Sequence, residues 1–182
     1  MKYCNNCGEK VILEIPKGDN RERYCCPNRE VIHYQNPNVV VGTLPVKEDK
    51  VLLCKRAIKP RYGLWTLPAG FLEMEETLEQ GALRETLEET NTKVKMKNLY
   101  AIYNIPQIGQ VYILYLAEVM QNNFGPTSES LEVKFFKKEE ILWEELAFPF
   151  VKNALDHYFN DLKNGKFSLK IEIIERPKSP KN

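Results

Sequence analysis

Glu85, Glu88 and Glu89 fall at i, i+3 and i+4 of a predicted helix in the stretch GFLEMEETLEQGALRETLEETNT, which runs from Gly70 to Thr92. An α-helix turns once in about 3.6 residues, so the three carboxylates share one face, with Arg84 beside them. Like charges at this spacing cost a helix about 0.2–0.5 kcal/mol per pair, and Glu88 and Glu89 also occupy the last turn, where the macrodipole disfavours anions. A divalent cation offsets both costs. Clustered carboxylate oxygens are hard anionic donors of the kind Mg²⁺ or Mn²⁺ takes, with waters and substrate phosphates completing the shell. The helix is therefore read as a metal platform. A run of charge alone makes a solvated face, but it does not reproduce the offsets of Gly70, Glu76 and Arg84.

Such a platform needs a helix with fixed ends and a sheet to rest on. Thr77-x-x-Gln80 is a capping-box signal that starts the helix near residue 77, and Asn91, a residue that tolerates the left-handed conformation, can end it. Upstream, NVVVGTLPV (38–46) and KVLLCK (50–55) read as strands joined by a charged turn, with Gly42 and Pro45 marking a bulge or an edge. Downstream, residues 93–104, 110–119 and 132–136 are strand candidates, and an apolar stripe from Phe148 to Leu162 predicts a helix over 147–163. The segment FSLKIEIIE reads as extended, and the Pro/Lys-rich end RPKSPKN as disordered. Mixed strands around a central acidic helix imply an α/β/α sandwich.

At 182 residues, 43% apolar and formal net charge +1, the chain has room for one sizeable core and a small appendage. The balanced charge argues against nucleic acid or an anionic membrane surface as a partner. No run approaches the roughly 20 apolar residues that cross a bilayer, and the polar N-terminus lacks an apolar leader, so a cytoplasmic location is expected. Cys4, Cys7, Cys25 and Cys26 cluster at the N-terminus while Cys54 sits in the apolar run VLLC. That pattern fits metal or free thiols in a reducing compartment better than a disulfide framework. Cys4-x-x-Cys7, eighteen residues, then Cys26-Pro27 has the spacing of the first three ligands of a zinc ribbon, and the fourth position, three residues on, is Arg29. Either Cys25 substitutes, or His33 does, or the site has decayed. Adjacent Cys25 and Cys26 cannot easily both reach one ion from an extended segment, and a cation at position 29 repels Zn²⁺, so weak zinc or none is expected. The organisation read from these features is a degenerate ribbon-like unit over 1–35, a main domain over 36–165 and an extended tail over 166–182.

Gly70, five residues, Glu76, seven residues, Arg84-Glu85, two residues and Glu88-Glu89 resembles the Nudix box of the nucleoside-diphosphate-linked hydrolases, with six fixed positions matched across 20 residues. Asn91 stands where that family carries glycine, and Thr86 and Thr92 replace aliphatic residues. The N-terminal unit, IHYQNP (32–37), LWTLPAG (64–70), and the stretch from Glu129-Ser130-Leu131-Glu132 through Leu146-Ala147-Phe148-Pro149 extend the likeness to the zinc-ribbon Nudix hydrolases that include plant FAD and ADP-ribose diphosphatases. The resemblance implies the same α/β/α sandwich and a metal-dependent hydrolase that cuts FAD, ADP-ribose or a related derivative into AMP and a second monophosphate. The alternatives are an NADH or NAD diphosphatase and a non-catalytic nucleotide sensor. An SQPWPFP-like signature of the NADH enzymes is absent, the corresponding stretch reading YNIPQIG (103–109).

By the same resemblance Glu85, Glu88 and Glu89, with the carbonyl of Gly70, hold Mg²⁺ or Mn²⁺. Arg84 orients the acids and Glu76 supports it, while Glu132, with Glu129 second, or a box glutamate takes the proton of the attacking water. A diphosphate repels hydroxide, so cations on its oxygens and a positioned, deprotonated water are what the chemistry needs. For the nucleotide substrate, Arg56 and Lys59 are candidate contacts to the phosphates or a terminal ribose, and Tyr103 and Phe148, with Tyr100 and Tyr112, candidate stacking partners. A homodimer formed through the ribbon or the first long strand is compatible with the sequence.

Overall fold

The computed structural model describes residues 1–175 apart from Arg29 and Asn122. Arg29, where the ribbon spacing expects a fourth ligand, and the Pro/Lys-rich end from Arg176 therefore lie outside the described residues. The chain divides into two units, Met1–Asn36 and Pro37 onward.

The first unit is a small antiparallel sheet of β1 (Ile12–Glu14), β2 (Arg23–Cys26) and β3 (Val31–His33). Its core is Cys4, Val11 and Cys26, with Tyr24 and Val31 packed against them. Three residues of core cannot hold so short a chain on apolar burial alone, which is why small units of this size are usually stapled by metal or disulfide.

In the second unit, β4 (Asn38–Lys47) and β5 (Lys50–Arg56) are followed by short β6 (Trp65–Thr66) and β7 (Ala69–Phe71), and then by helix α1 (Leu78–Thr90). After it come β8 (Val94–Ile105), β9 (Gln110–Val119), β10 (Ser130–Phe136), helix α2 (Pro149–Asn164) and β11 (Lys170–Ile173). Among the described residues these strands form one mixed sheet in the order β10-β5-β4-β9-β8-β11, with β6 on β5 and β7 on β4. The β4–β9 and β8–β11 pairs are parallel, the others antiparallel. Alternation along the strands gives each face its own helix. Leu44, Leu53, Tyr100, Tyr103 and Leu114 pack with Val151, Leu155 and Phe159 of α2, whereas Val41 and Tyr115 pack with Ala82 of α1. The result is the expected α/β/α sandwich. No described helix is long and apolar enough to cross a membrane.

The α1 boundaries follow local chemistry. Thr77 accepts from the Gln80 N–H while the Gln80 side chain accepts from the Thr77 N–H, closing the capping box. Asn91 ends the helix at φ 52° and ψ 29° and returns its N–H to the Leu87 carbonyl. Gly81 lets the helix lie close to the sheet: a Cβ there would meet Val41 Cγ2 at 2.8 Å and Leu72 Cδ1 at 2.9 Å. Thr86, where the resemblance expects an aliphatic residue, places its hydroxyl 2.7 Å from that of Thr43 in the buried helix–sheet seam.

Pro45 marks no edge, contrary to the sequence reading. It lies inside β4, which pairs with β9 from Asn38 to Val46. On the other side β4 meets β7 at Val40–Gly42 and β5 at Val46–Lys47, so a residue without an N–H falls in the gap between two partners.

Candidate active site

A cleft of about 790 Å³ opens where β4 and β9 begin and β5 ends. The acids Glu85, Glu88, Glu89 and Glu129 line it, together with Gly70 and Arg84. Arg56 enters from the end of β5 and Lys59 from the loop after it, and Tyr112, Phe148 and Phe150 form an aromatic wall.

Arg84 organises the acidic side. Its Nε and Nη2 donate to Glu76 Oε1 and Oε2 at 2.7 and 2.9 Å, and Nη1 donates to Glu85 at 2.6 Å and Glu88 at 3.0 Å. Nη2 also donates to the Phe71 carbonyl at 3.0 Å. Every guanidinium nitrogen is engaged, so the charge is fixed in orientation and its pKa is raised, chiefly by the Glu76 hydrogen bonds. The same contacts hold Glu76 below the usual carboxylate range.

Glu85 and Glu89 lie on the buried side of α1 and feel the opposite pressure. Burial pushes both carboxyls up, Glu89 to about 7. Glu89 Oε2 accepts from the Ala69 N–H at 3.1 Å and from the Cys54 thiol at 3.6 Å, and the Ser130 hydroxyl donates to its carbonyl at 2.6 Å. Cys54 is otherwise the core residue its apolar run suggests, its thiol pushed up by burial. At Gly70 a Cβ would run into the Glu85 carboxylate, so any other residue there would force the end of that side chain to shift.

These donors suit a divalent cation. Two partly desolvated carboxylates and a third exposed one converge on a cleft where the single charge of Arg84 is shared among Glu76, Glu85 and Glu88, so a net negative charge remains that a divalent cation offsets. Glu85, Glu88, Glu89 and the Gly70 carbonyl are the groups available to hold it. When bound, such an ion lowers the pKa of a water and draws charge from phosphate oxygens.

Among the substrate candidates, Arg56, Lys59 and Phe148 are brought to the cleft, with the Arg56 guanidinium 5.2 Å from the Phe148 ring centre. Tyr103 is not. It is fully buried in the α2-side core, behind Phe150 at 6.3 Å between ring centres, and Tyr100 is likewise core, donating to Asp161 at 3.0 Å. Tyr112 reaches the wall and packs on Phe150 at 4.2 Å. Phe150 was missed by sequence reasoning. The signal is Phe148-Pro149-Phe150: Pro149 opens α2, leaving Phe148 as the extended N-cap and stacking the two rings at an interplanar angle of 14°.

Glu132 needs correcting as first choice for the base. Ser130 pairs with Arg56 and Glu132 with Lys55, so β10 spends an extra residue, Leu131, over one step of β5. Regular pairing from Ser130 would set Glu132 opposite Cys54, on the face that carries Glu89. The bulge instead sets Val133 there and turns Glu132 to the opposite face with Lys55, where it is exposed. Glu129, just before the strand, lines the cleft and is among the charges that push Glu85 upward.

The family model described as NUDIX domain matches residues 36–158, and the zinc-ribbon model described as Nudix N-terminal matches residues 2–35. This chain belongs to the Nudix hydrolase family. A solved Nudix hydrolase from Nitrosomonas europaea is 50% identical and superposes with a TM-score of 0.93 over 97% of this chain and 100% of its own. Among curated Nudix relatives, an ADP-ribose pyrophosphatase of Methanocaldococcus jannaschii is 31% identical over 68% of this chain and 75% of its own length. The NAD-capped RNA hydrolase NudC of Shigella flexneri is 36% identical over 77% of this chain but only 53% of its own length, so the chain spans about half of that relative.

Proposed function

We propose that this Nudix hydrolase cuts the diphosphate of a dinucleotide-type substrate, with ADP-ribose and FAD ahead of NADH. The observation that carries the reading is one cleft holding acids for a metal on one side, and Arg56, Lys59 and stacked aromatic rings on the other. A diphosphate between two organic groups needs all three. The relative named ADP-ribose pyrophosphatase supports the substrate class.

Water attacks one phosphorus, the bridging P–O bond breaks, and the second phosphate leaves, giving AMP with ribose 5-phosphate from ADP-ribose or AMP with FMN from FAD. Glu85 and Glu88 are assigned to hold Mg²⁺ or Mn²⁺, with Glu89 the proton acceptor and Glu129 the second choice. Glu89 comes first because it lines the cleft and its Oε2 is held there by the Ala69 N–H at 3.1 Å. Arg84 and Glu76 keep the acids aimed, as supporting partners of metal ligands do.

The test is a competition assay of ADP-ribose, FAD, NADH and a nucleoside triphosphate with Mg²⁺ and with Mn²⁺, both products being identified. ADP-ribose or FAD should exceed NADH in kcat/KM by about tenfold, which takes about 1.4 kcal/mol of differential transition-state binding. NADH consumed first would move the protein toward the activity named for its NudC relatives.

A further inference from the structure

The ribbon description of the N-terminal unit implies zinc, and the unit contains a donor group that fits it. Sγ atoms of Cys4, Cys7 and Cys26 all lie within 4.8 Å of one another, with Cys7 and Cys26 at 3.5 Å. For a Zn–S bond of about 2.3 Å, the edge of a tetrahedron is about 3.8 Å, so these three thiols are spaced to meet one ion. The Cys4 sulfur already accepts the Asn6 N–H at 3.4 Å, an arrangement that suits a thiolate. Three ligands leave a tetrahedral structural site incomplete.

We propose that His33 is the fourth ligand, making a Cys₃His zinc site. Strand pairing places it. Cys26 stands opposite Val31 and Tyr24 opposite His33, so the four share one face of the small sheet, the face that carries Cys4 and Val11. His33 is buried, with 8% of its surface exposed, it interacts with the Cys4 thiol, and its Nε2 has no hydrogen-bond partner. An unpaired ring nitrogen in so small a core costs free energy that a metal bond removes. Cys25 is excluded by the same register. It pairs with Ile12 and Ile32 on the other face and turns its thiol toward the Arg23 carbonyl at 3.7 Å.

The 182-residue chain, produced with zinc and dialysed against excess Mg²⁺ so that a hard ion occupies the carboxylates, should keep about one zinc per chain. With Co²⁺ in its place, the protein should show thiolate-to-cobalt charge transfer and the ligand-field bands of a tetrahedral centre. His33→Ala should weaken zinc binding by at least about 10²-fold, since the loss of a mere supporting partner already costs up to that much. His33→Cys should keep the metal and raise charge-transfer intensity by about a third as three thiolates become four, whereas Cys25→Ser should change neither spectrum nor affinity. Zinc-free wild-type protein, an unchanged cobalt spectrum in His33→Ala, or loss of metal in Cys25→Ser would each overturn the assignment. If His33→Ala does not fold, His33→Cys decides: an added thiolate band supports the site, and an unaltered spectrum rejects it.

Discussion

Arg84 grips Glu76 through two parallel hydrogen bonds, 2.7 and 2.9 Å long, across a sequence separation of eight residues. The fork fixes the guanidinium so that its remaining nitrogen, Nη1, bridges Glu85 and Glu88. A lysine keeps the charge but cannot make that fork and bridge together. Arg84→Lys should leave the fold intact while metal affinity or turnover falls by about 10–100-fold, read from the dependence of rate on Mg²⁺ concentration. A wild-type metal dependence would show that the fork is ornamental to the site.

Gln in place of Glu at each of the four acids separates their roles. Glu88→Gln or Glu89→Gln should lower kcat by about 10²–10⁴ if the group is a metal ligand or the base, and Glu129→Gln should fall less. Glu132→Gln should remain near wild type, because the bulge turns it from the Glu89 face. A Glu132→Gln variant as impaired as Glu89→Gln would restore Glu132 to the site, and full activity in EDTA would falsify metal dependence altogether.

Glu89 ties stability to pH. Its carboxyl is ordinarily at 4.5 and is pushed to about 7 in the fold, mainly by burial. Between those values the folded chain keeps a proton that the unfolded chain has released, so stability falls as pH rises through this window, by roughly 3 kcal/mol in full. In EDTA, Tm should drop between pH 5 and pH 8 by on the order of 5–10 °C from this group. Mg²⁺ competes with that proton, so it should raise Tm more at pH 8 than at pH 5. Glu89→Gln cannot ionise and should lose much of the slope; an unchanged slope would mean that other groups set it.

Gly70→Ala adds one methyl group where the Glu85 carboxylate lies. Because the strain falls on an acid at the cleft, activity should fall more than stability, which should drop by about 1–3 kcal/mol. Thermal melts beside kinetics would check this, and an alanine enzyme with wild-type turnover would show that Glu85 has room to move.

The box acids, both caps of α1 and most strand spans were legible in the sequence because each is set by neighbours within a few residues. Helix periodicity puts Glu85, Glu88 and Glu89 on one face, and Thr77, Gln80 and Asn91 close hydrogen bonds within a turn or two. Fold class followed from the resemblance and from the alternation of elements.

Only the tertiary structure decided where the remaining candidates stand. Tyr103 and Tyr112 sit opposite each other on β8 and β9, yet Tyr103 ends in the core and Tyr112 at the cleft wall. One unpaired residue in β10 exchanges Glu132 for Val133 on the Glu89 face, and pairing of β2 with β3 puts His33, not Cys25, on the face that carries Cys26. A strand has period two, so a shift of one residue inverts every side chain after it, and that shift is set by hydrogen bonds to a distant partner strand. No local pattern in the sequence encodes where that partner lies.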